Sequence, residues 1–203
     1  MQLYTEFLLS ATSPEHFPGS ARTGDAPEVA FLGRSNVGKS SLINKLIGTK
    51  AAKVSSTPGR TRAINFFALH EGNESKHKMK PELIFADLPG YGYAKISKSI
   101  SAEWPSFIEP YLQEREQLAL CVCLVDSNIP PQESDTMLIT ALRTMQRPHL
   151  VVATKTDKLS GNTLAKSLAA LKKAHGEERI LPVSSKSENG VKPLWPEILG
   201  VIS

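Results

Sequence analysis

Gly33-Arg34-Ser35-Asn36-Val37-Gly38-Lys39-Ser40 is an octapeptide bounded by glycines and closed by Lys-Ser. Residue types at that spacing suit the holding of a polyphosphate. The glycines let the backbone curl so that successive N–H groups point at anionic oxygens, Lys39 reaches the β and γ oxygens, and the Ser40 hydroxyl suits Mg²⁺. Such a loop works only where a strand hands over to a helix. EVAFLG precedes it as a short apolar strand, and SSLINKLIG follows with Leu42, Ile43, Leu46 and Ile47 on one helical stripe that stops at Gly48. Nucleoside triphosphate binding is the expectation.

Three further segments extend the chemistry. Asp87-Leu88-Pro89-Gly90 closes the apolar run ELIFAD, which puts a carboxylate beside the Mg²⁺ site, acting through water, and a glycine N–H within reach of the γ-phosphate. In the basic loop SSTPGRTRA, Thr61 is the first candidate for a second hydroxyl on Mg²⁺ and Thr57 the runner-up. Thr154-Lys155-Thr156-Asp157 ends the run HLVVAT, the end of a strand at which doubly wound sheets bind ligands. A carboxylate there matches the adjacent N1–H and exocyclic amine of guanine, whereas adenine would leave it unpaired, so selectivity of about 10⁴ is reasonable. Lys155 can lay its alkyl stem along the base. Ser184-Ser185-Lys186 can offer backbone N–H groups to the base carbonyl.

These segments need a frame, and 203 residues with 40% hydrophobic and 22% charged side chains are enough for one compact domain. A coil, a collagen or a disordered tail is excluded. AINFFALH and ELIFAD read as an antiparallel hairpin, and LALCVCLVD, HLVVAT and RILPVSS as further strands. Helices are expected over 99–116, with Pro105 and Pro110 in the first turn or at a kink, over 132–147 and 163–174, and over the final VKPLWPEILGVI. Strands alternating with helices imply an α/β, three-layer P-loop NTPase fold: a mostly parallel sheet with one antiparallel edge strand and helices on both faces. Residues 1–27 read as an N-terminal extension with one strand, and 28–203 as the nucleotide-binding domain.

The net charge of +4 is unevenly placed: residues 34–98 carry twelve basic and four acidic side chains, a surplus of +8 that makes the central third cationic. Arg60, Arg62, Lys95 and Lys98 flank the presumed site, with Lys76, Lys78 and Lys80 in the hairpin connection. No run approaches the ~18 apolar residues of a membrane span, and Glu6 stands where a secretory signal would be basic, so the chain is expected in the cytoplasm. Cys121 and Cys123 lie two apart in an apolar run, on one face of a strand, as core residues rather than a disulfide framework. The five histidines show no metal-ligand spacing, and Trp104 and Trp195 read as core anchors.

Taken together, GRSNVGKSS, TPGRTRAINFF, DLPGYGYAK, TKTD and SSK resemble the EngB (YihA/YsxC) family of bacterial GTPases in the TrmE/Era superfamily, over about residues 27–190. The resemblance implies a GTP-hydrolysing switch that binds GTP and GDP and acts on the large ribosomal subunit (rRNA and ribosomal proteins) during its assembly, with a link to cell division and septation. It also implies a monomer without a membrane partner. Residue by residue, it makes Gly33 to Ser40 the phosphate loop and Gly59, Arg60, Thr61, Arg62 and Ala63 the first switch. It puts Ser40 and Thr61 on Mg²⁺, makes Asp87 to Gly90 the second switch, and assigns the base to Thr154, Lys155, Thr156 and Asp157 with Val183, Ser184 and Ser185. Lys39, Thr61, Gly90 and Asn36 are the expected catalytic set, Asn36 because superfamily members use an Asn there to help hold K⁺.

Two departures stand out. Thr154 replaces the Asn usual in GTPases, losing an amide contact, and Tyr91 follows Gly90 where small GTPases place a water-orienting Gln. An aromatic there packs the segment or docks a partner rather than orienting water. Hydrolysis is therefore expected to be slow, on the order of 10⁻³ s⁻¹ or below. A GTP-dependent scaffold with negligible turnover is the first alternative. A P-loop kinase is the second, disfavoured because it would need an acceptor pocket and an Arg-rich lid.

Overall fold

Apolar runs form the strands, and their burial explains why they do not alternate in sequence. The computed structural model describes residues 3–48, 63–72, 80–92, 104 and 106–202. Among these, β1 (Leu3–Ala11), β2 (Glu28–Gly33), β3 (Ile64–Glu71), β4 (Leu83–Asp87), β5 (Leu118–Asp126), β6 (His149–Thr154) and β7 (Leu181–Pro182) form one sheet in the order β1-β3-β4-β2-β5-β6-β7. β4, β2, β5, β6 and β7 are mutually parallel, while β3 pairs antiparallel with β4 on one side and with β1 on the other. The mostly parallel sheet with an antiparallel edge is thus as expected, with β1 added outside the hairpin.

Helices cover both faces, so every residue of β2 is buried. One face packs Ala30 and Leu32 of β2 and Cys121, Cys123 and Val125 of β5 against α3 (Ile108–Glu114), α4 (Glu133–Thr144) and α5 (Gly161–His175). The other packs Val29, Phe31, Leu120, Val122 and Leu124 against α2 (Lys39–Ile47) and α6 (Val191–Ile202). Cys121 and Cys123 therefore share one interior face as free thiols.

Differences from the sequence expectation have local causes. The described helix over 99–116 is only Ile108–Glu114, with Pro110 at its third position, where no backbone N–H is required; residues 99–103 and 105 lie outside the described residues. In RILPVSS only Leu181–Pro182 pairs as a strand. Pro182 has no N–H to donate, and after Val183 the chain turns, with the Ser184 N–H donating to the Asn189 carbonyl at 2.9 Å. The N-terminal segment contributes β1, in register from Leu3↔Glu71 to Ala11↔Ile64 with an irregularity between Phe7 and Leu9, and the short helix α1 (Ser20–Thr23). Glu28, fully buried at the start of β2, accepts from the Tyr111 hydroxyl at 2.9 Å and from the Arg115 Nε at 3.0 Å. Arg115 also donates to the Pro18 carbonyl at 2.7 Å, tying β2, α3 and the N-terminal segment together.

Candidate functional site

The phosphate loop forms at the end of β2. Asn36 takes a left-handed backbone (φ 64°) and is exposed, and Gly38 sits at φ 106°, a conformation that favours glycine, as the N-cap of α2. Val37 is buried, and Lys39 and Ser40 open the helix. Lys39 Nζ pairs directly with Asp87 Oδ1 at the end of the neighbouring parallel strand β4. Leu88 and Pro89 are buried, and Leu88 N–H donates to the Phe31 carbonyl at 3.2 Å. Gly90 then lies against Ser35 so closely that a Cβ would stand 3.0 Å from the Ser35 nitrogen and Cα. Only glycine fits there without a shift, which suits a backbone N–H meant for phosphate.

Tyr91 is held on three sides. Its carbonyl accepts from the Ser35 N–H at 2.9 Å, forming an isolated parallel bridge with Arg34. Its buried hydroxyl donates to Asp135 Oδ1 on α4 at 2.9 Å. Its ring meets Trp104 edge-on at 5.3 Å between centroids, and the Trp104 indole donates to the Pro89 carbonyl at 3.0 Å. Burial pushes the phenol well above its usual range, so it stays a neutral donor. Burial likewise raises the Asp135 carboxyl to about 6, against the lowering effects of Tyr91 and Arg34. Tyr91 thus packs the second segment, as its aromatic type suggested.

At the base side, the buried Thr154 hydroxyl donates to the Val37 carbonyl at 2.6 Å, joining the end of β6 to the phosphate loop. The hydroxyl that replaces the usual Asn therefore makes a bond across the site. Lys155 adopts φ 60°, pairs with Asp126 Oδ2 at 2.6 Å, and accepts at its carbonyl from the Asn128 amide at 3.0 Å. Burial works against ionisation of Asp126, but the bonds from Lys155 and Asn128 outweigh it and hold the carboxyl below its usual range. Thr156 is buried, while Asp157 is exposed and accepts from the buried Ser184 hydroxyl at 2.6 Å, a bond that lowers its pKa. Val183 is buried, with its N–H on the Ala153 carbonyl at 2.8 Å.

One expectation changes here. Ser184 uses its N–H on Asn189, and its hydroxyl accepts from the Lys186 N–H at 3.2 Å, so two of the tripeptide's three N–H groups are engaged within the chain. Asp126, Asn128 and Asp135 were not singled out from sequence. The signal for the first two was present in LVDSN, where an Asp at the end of an apolar strand begins a side-chain-capped turn. Gly59, Arg60, Thr61, Arg62 and Thr57 lie outside the described residues, as do Lys76, Lys78, Lys95 and Lys98. Ala63 is placed just ahead of β3, and Lys80 is exposed. A mainly apolar cleft of about 580 Å³ flanks Asp157, lined by Leu159, Leu164, Leu181 and Leu194 among others, and does not reach the phosphate loop.

With a glycine-bounded loop, a lysine and its carboxylate at the end of parallel strands, and the segment from Thr154 to Asp157 at the end of β6, the chain has the framework of the P-loop GTPases. The family model described as "50S ribosome-binding GTPase" matches residues 28–155. A probable GTP-binding protein EngB of Acidobacterium capsulatum is 63% identical over 198 residues, covering 98% of this chain and 90% of that protein. One from Koribacter versatilis is 52% identical, covering 98% and 94%. The chain belongs to the EngB family of GTP-binding proteins. Among solved structures, Era of Aquifex aeolicus bound to GDP and AlF₄⁻ (a Y63A variant) superposes with a TM-score of 0.68 at 26% identity, covering 88% of this chain and 57% of Era. A probable GTP-binding protein engB gives 0.63 at 23% identity over 86% of this chain and 98% of that one, a likeness of fold. The alternatives of a kinase and of a scaffold without turnover give way to a GTPase. Among the described residues no helix is long and apolar enough to cross a membrane.

Proposed function

We propose that this GTPase works in the cytoplasm, as a monomer, as a Mg²⁺-dependent switch that GTP sets for binding the large ribosomal subunit during its assembly, whence a link to cell division and septation. The observation that carries the reading is the contact between Lys39 and Asp87. A polyphosphate that attracts the Lys39 ammonium changes the partner of the carboxylate from which the segment to Gly90 departs. Residues 28–203 form the G domain in this reading, and the extension 1–27 lends it an edge strand.

The oxygens at hand suit Mg²⁺: a Ser40 hydroxyl in the first turn of α2 and the buried Asp87 carboxylate are hard donors of the kind it takes. Ser40 and Thr61 would hold it directly and Asp87 through water, and when bound it neutralises charge on the β and γ oxygens. Lys39 supplies a fixed positive charge to the same oxygens, and the Gly90 N–H presents a donor to the γ-phosphate. Gly33 to Ser40 are assigned to the phosphates, Thr154 to Asp157 with Val183 to Ser185 to guanine, and Gly59 to Ala63 to the first switch. Asn36, exposed in its left-handed turn, is the candidate ligand for a catalytic K⁺.

The cationic window of residues 34–98 and the family's description as a 50S ribosome-binding GTPase both support an RNA-rich partner. Sedimentation of the full chain with large ribosomal subunits tests the reading. Binding is expected to favour a non-hydrolysable GTP analogue over GDP, to fall steeply with salt, and to drop when Arg62, Lys95 and Lys98 are changed to Glu. Equal pelleting in both nucleotides at every salt concentration would sink it.

A further inference from the structure

The segment Pro89–Tyr91 is gripped from three elements that are far apart in sequence. The phosphate loop donates through Ser35, Trp104 donates to Pro89, and α4 receives the Tyr91 hydroxyl on Asp135. Asp135 lies in the first turn of α4 with 3% of its surface exposed. A buried carboxylate is expensive, and a neutral side chain could accept the same bond at lower cost. What the charge adds is a stronger bond to one donor, the phenol of the residue next to Gly90. Gly90 in turn has no room to spare, since a Cβ there would stand 2.9 Å from the Ser35 hydroxyl and 3.0 Å from its nitrogen and Cα.

We propose that Asp135 is a positioning residue for GTP hydrolysis: through the Tyr91 hydroxyl it clamps Pro89–Tyr91 onto the phosphate loop, fixing the Gly90 N–H where the γ-phosphate must lie and joining that segment to α4. The inference rests on the assignment of Gly90 as the γ-phosphate donor. The charged and titratable groups facing Asp135 are the Tyr91 phenol, Arg34 from the phosphate loop, Asp126 from the end of β5 and Cys123 within β5. Arg34 favours the ionised form and Asp126 opposes it. Above a pKa of about 6 the carboxylate grips the phenol by a charge-assisted bond, and below it the neutral acid holds it more weakly.

The test measures single-turnover GTP hydrolysis and GDP affinity of the full chain between pH 5 and 8. Tyr91→Phe and Asp135→Ala should each slow hydrolysis about tenfold at pH 7.5, as loss of one charged hydrogen bond would, while GDP affinity stays within about twofold. The double variant should be no slower than either single one. Asp135→Asn, a neutral acceptor, should be faster than Asp135→Ala but hold at every pH the lower rate that the unmodified protein reaches below about pH 6, without the fall through that pH. Gly90→Ala serves as the reference for the underlying assignment and should abolish hydrolysis. If Gly90→Ala is inactive but Tyr91→Phe and Asp135→Asn match the unmodified rate and pH profile, the clamp is wrong and the site stands. If Gly90→Ala hydrolyses normally, the site assignment itself fails. Loss of GDP affinity in parallel with rate would also overturn the proposal, by making the pair merely structural. Should Asp135→Ala not fold, Tyr91→Phe and Asp135→Asn decide alone.

Discussion

Asp157, proposed to meet the base edge, has its carboxylate oriented by a hydrogen bond from a serine that is itself buried. Asp157→Asn keeps the shape and the bond from Ser184 but turns one acceptor into a donor. GTP affinity should fall on the order of a hundredfold, as the loss of hydrogen bonding to a charge implies, and xanthine nucleotides, which offer an acceptor where guanine offers a donor, should gain. Titrating both nucleotides against the variant checks this, and unchanged GTP affinity would refute the role. At this scale the proposed site was legible in the sequence wherever it rests on short spacing: Lys39, Ser40, Asp87 and Asp157 are in motifs whose members are neighbours in the chain. Asp135 escaped because its partner Tyr91 lies 44 residues away, and at Asp126 the local LVDSN marks the turn but not the pairing with Lys155, 29 residues away.

Elements were legible in proportion to their hydrophobic contrast. EVAFLG, LALCVCLVD and HLVVAT are strands buried between two helical layers and stand out as apolar runs, whereas β1 mixes polar and apolar residues because an edge strand is half solvated. The length of β7 depended on Pro182 and on a turn closed by Asn189, neither of which is a matter of hydrophobicity. Between elements, the Glu28 clamp has the clearest energetic consequence. Glu28→Ala would leave the Arg115 guanidinium, largely buried, without its carboxylate, and also strip the Tyr111 hydroxyl of its acceptor. Breaking a buried pair in this way costs about 3–5 kcal/mol. Urea unfolding should show a midpoint lowered accordingly with an unchanged slope, whereas a loss under 1 kcal/mol would mean that water replaces the carboxylate.

Across the whole molecule, the proposed site lies at one end of the sheet, and the middle strands are buried on both faces. β5 runs through that middle, flanked by β2 and β6, with both of the protein's cysteines on its buried face. Burial pushes the Cys121 thiol up to about 12 and the Cys123 thiol well above its usual range, so neither is a nucleophile while the sheet is intact. An aromatic disulfide reagent can therefore label them only during excursions that separate α3, α4 and α5 from the sheet. The protein carries a stopwatch for its own opening, already installed and needing no added label. GDP at a hundred times its dissociation constant should slow the labelling about a hundredfold if the opening that exposes the thiols also releases the nucleotide. A labelling rate indifferent to GDP would instead mean that the two thiols are reached by a local breathing of that helical layer, with the nucleotide still in place.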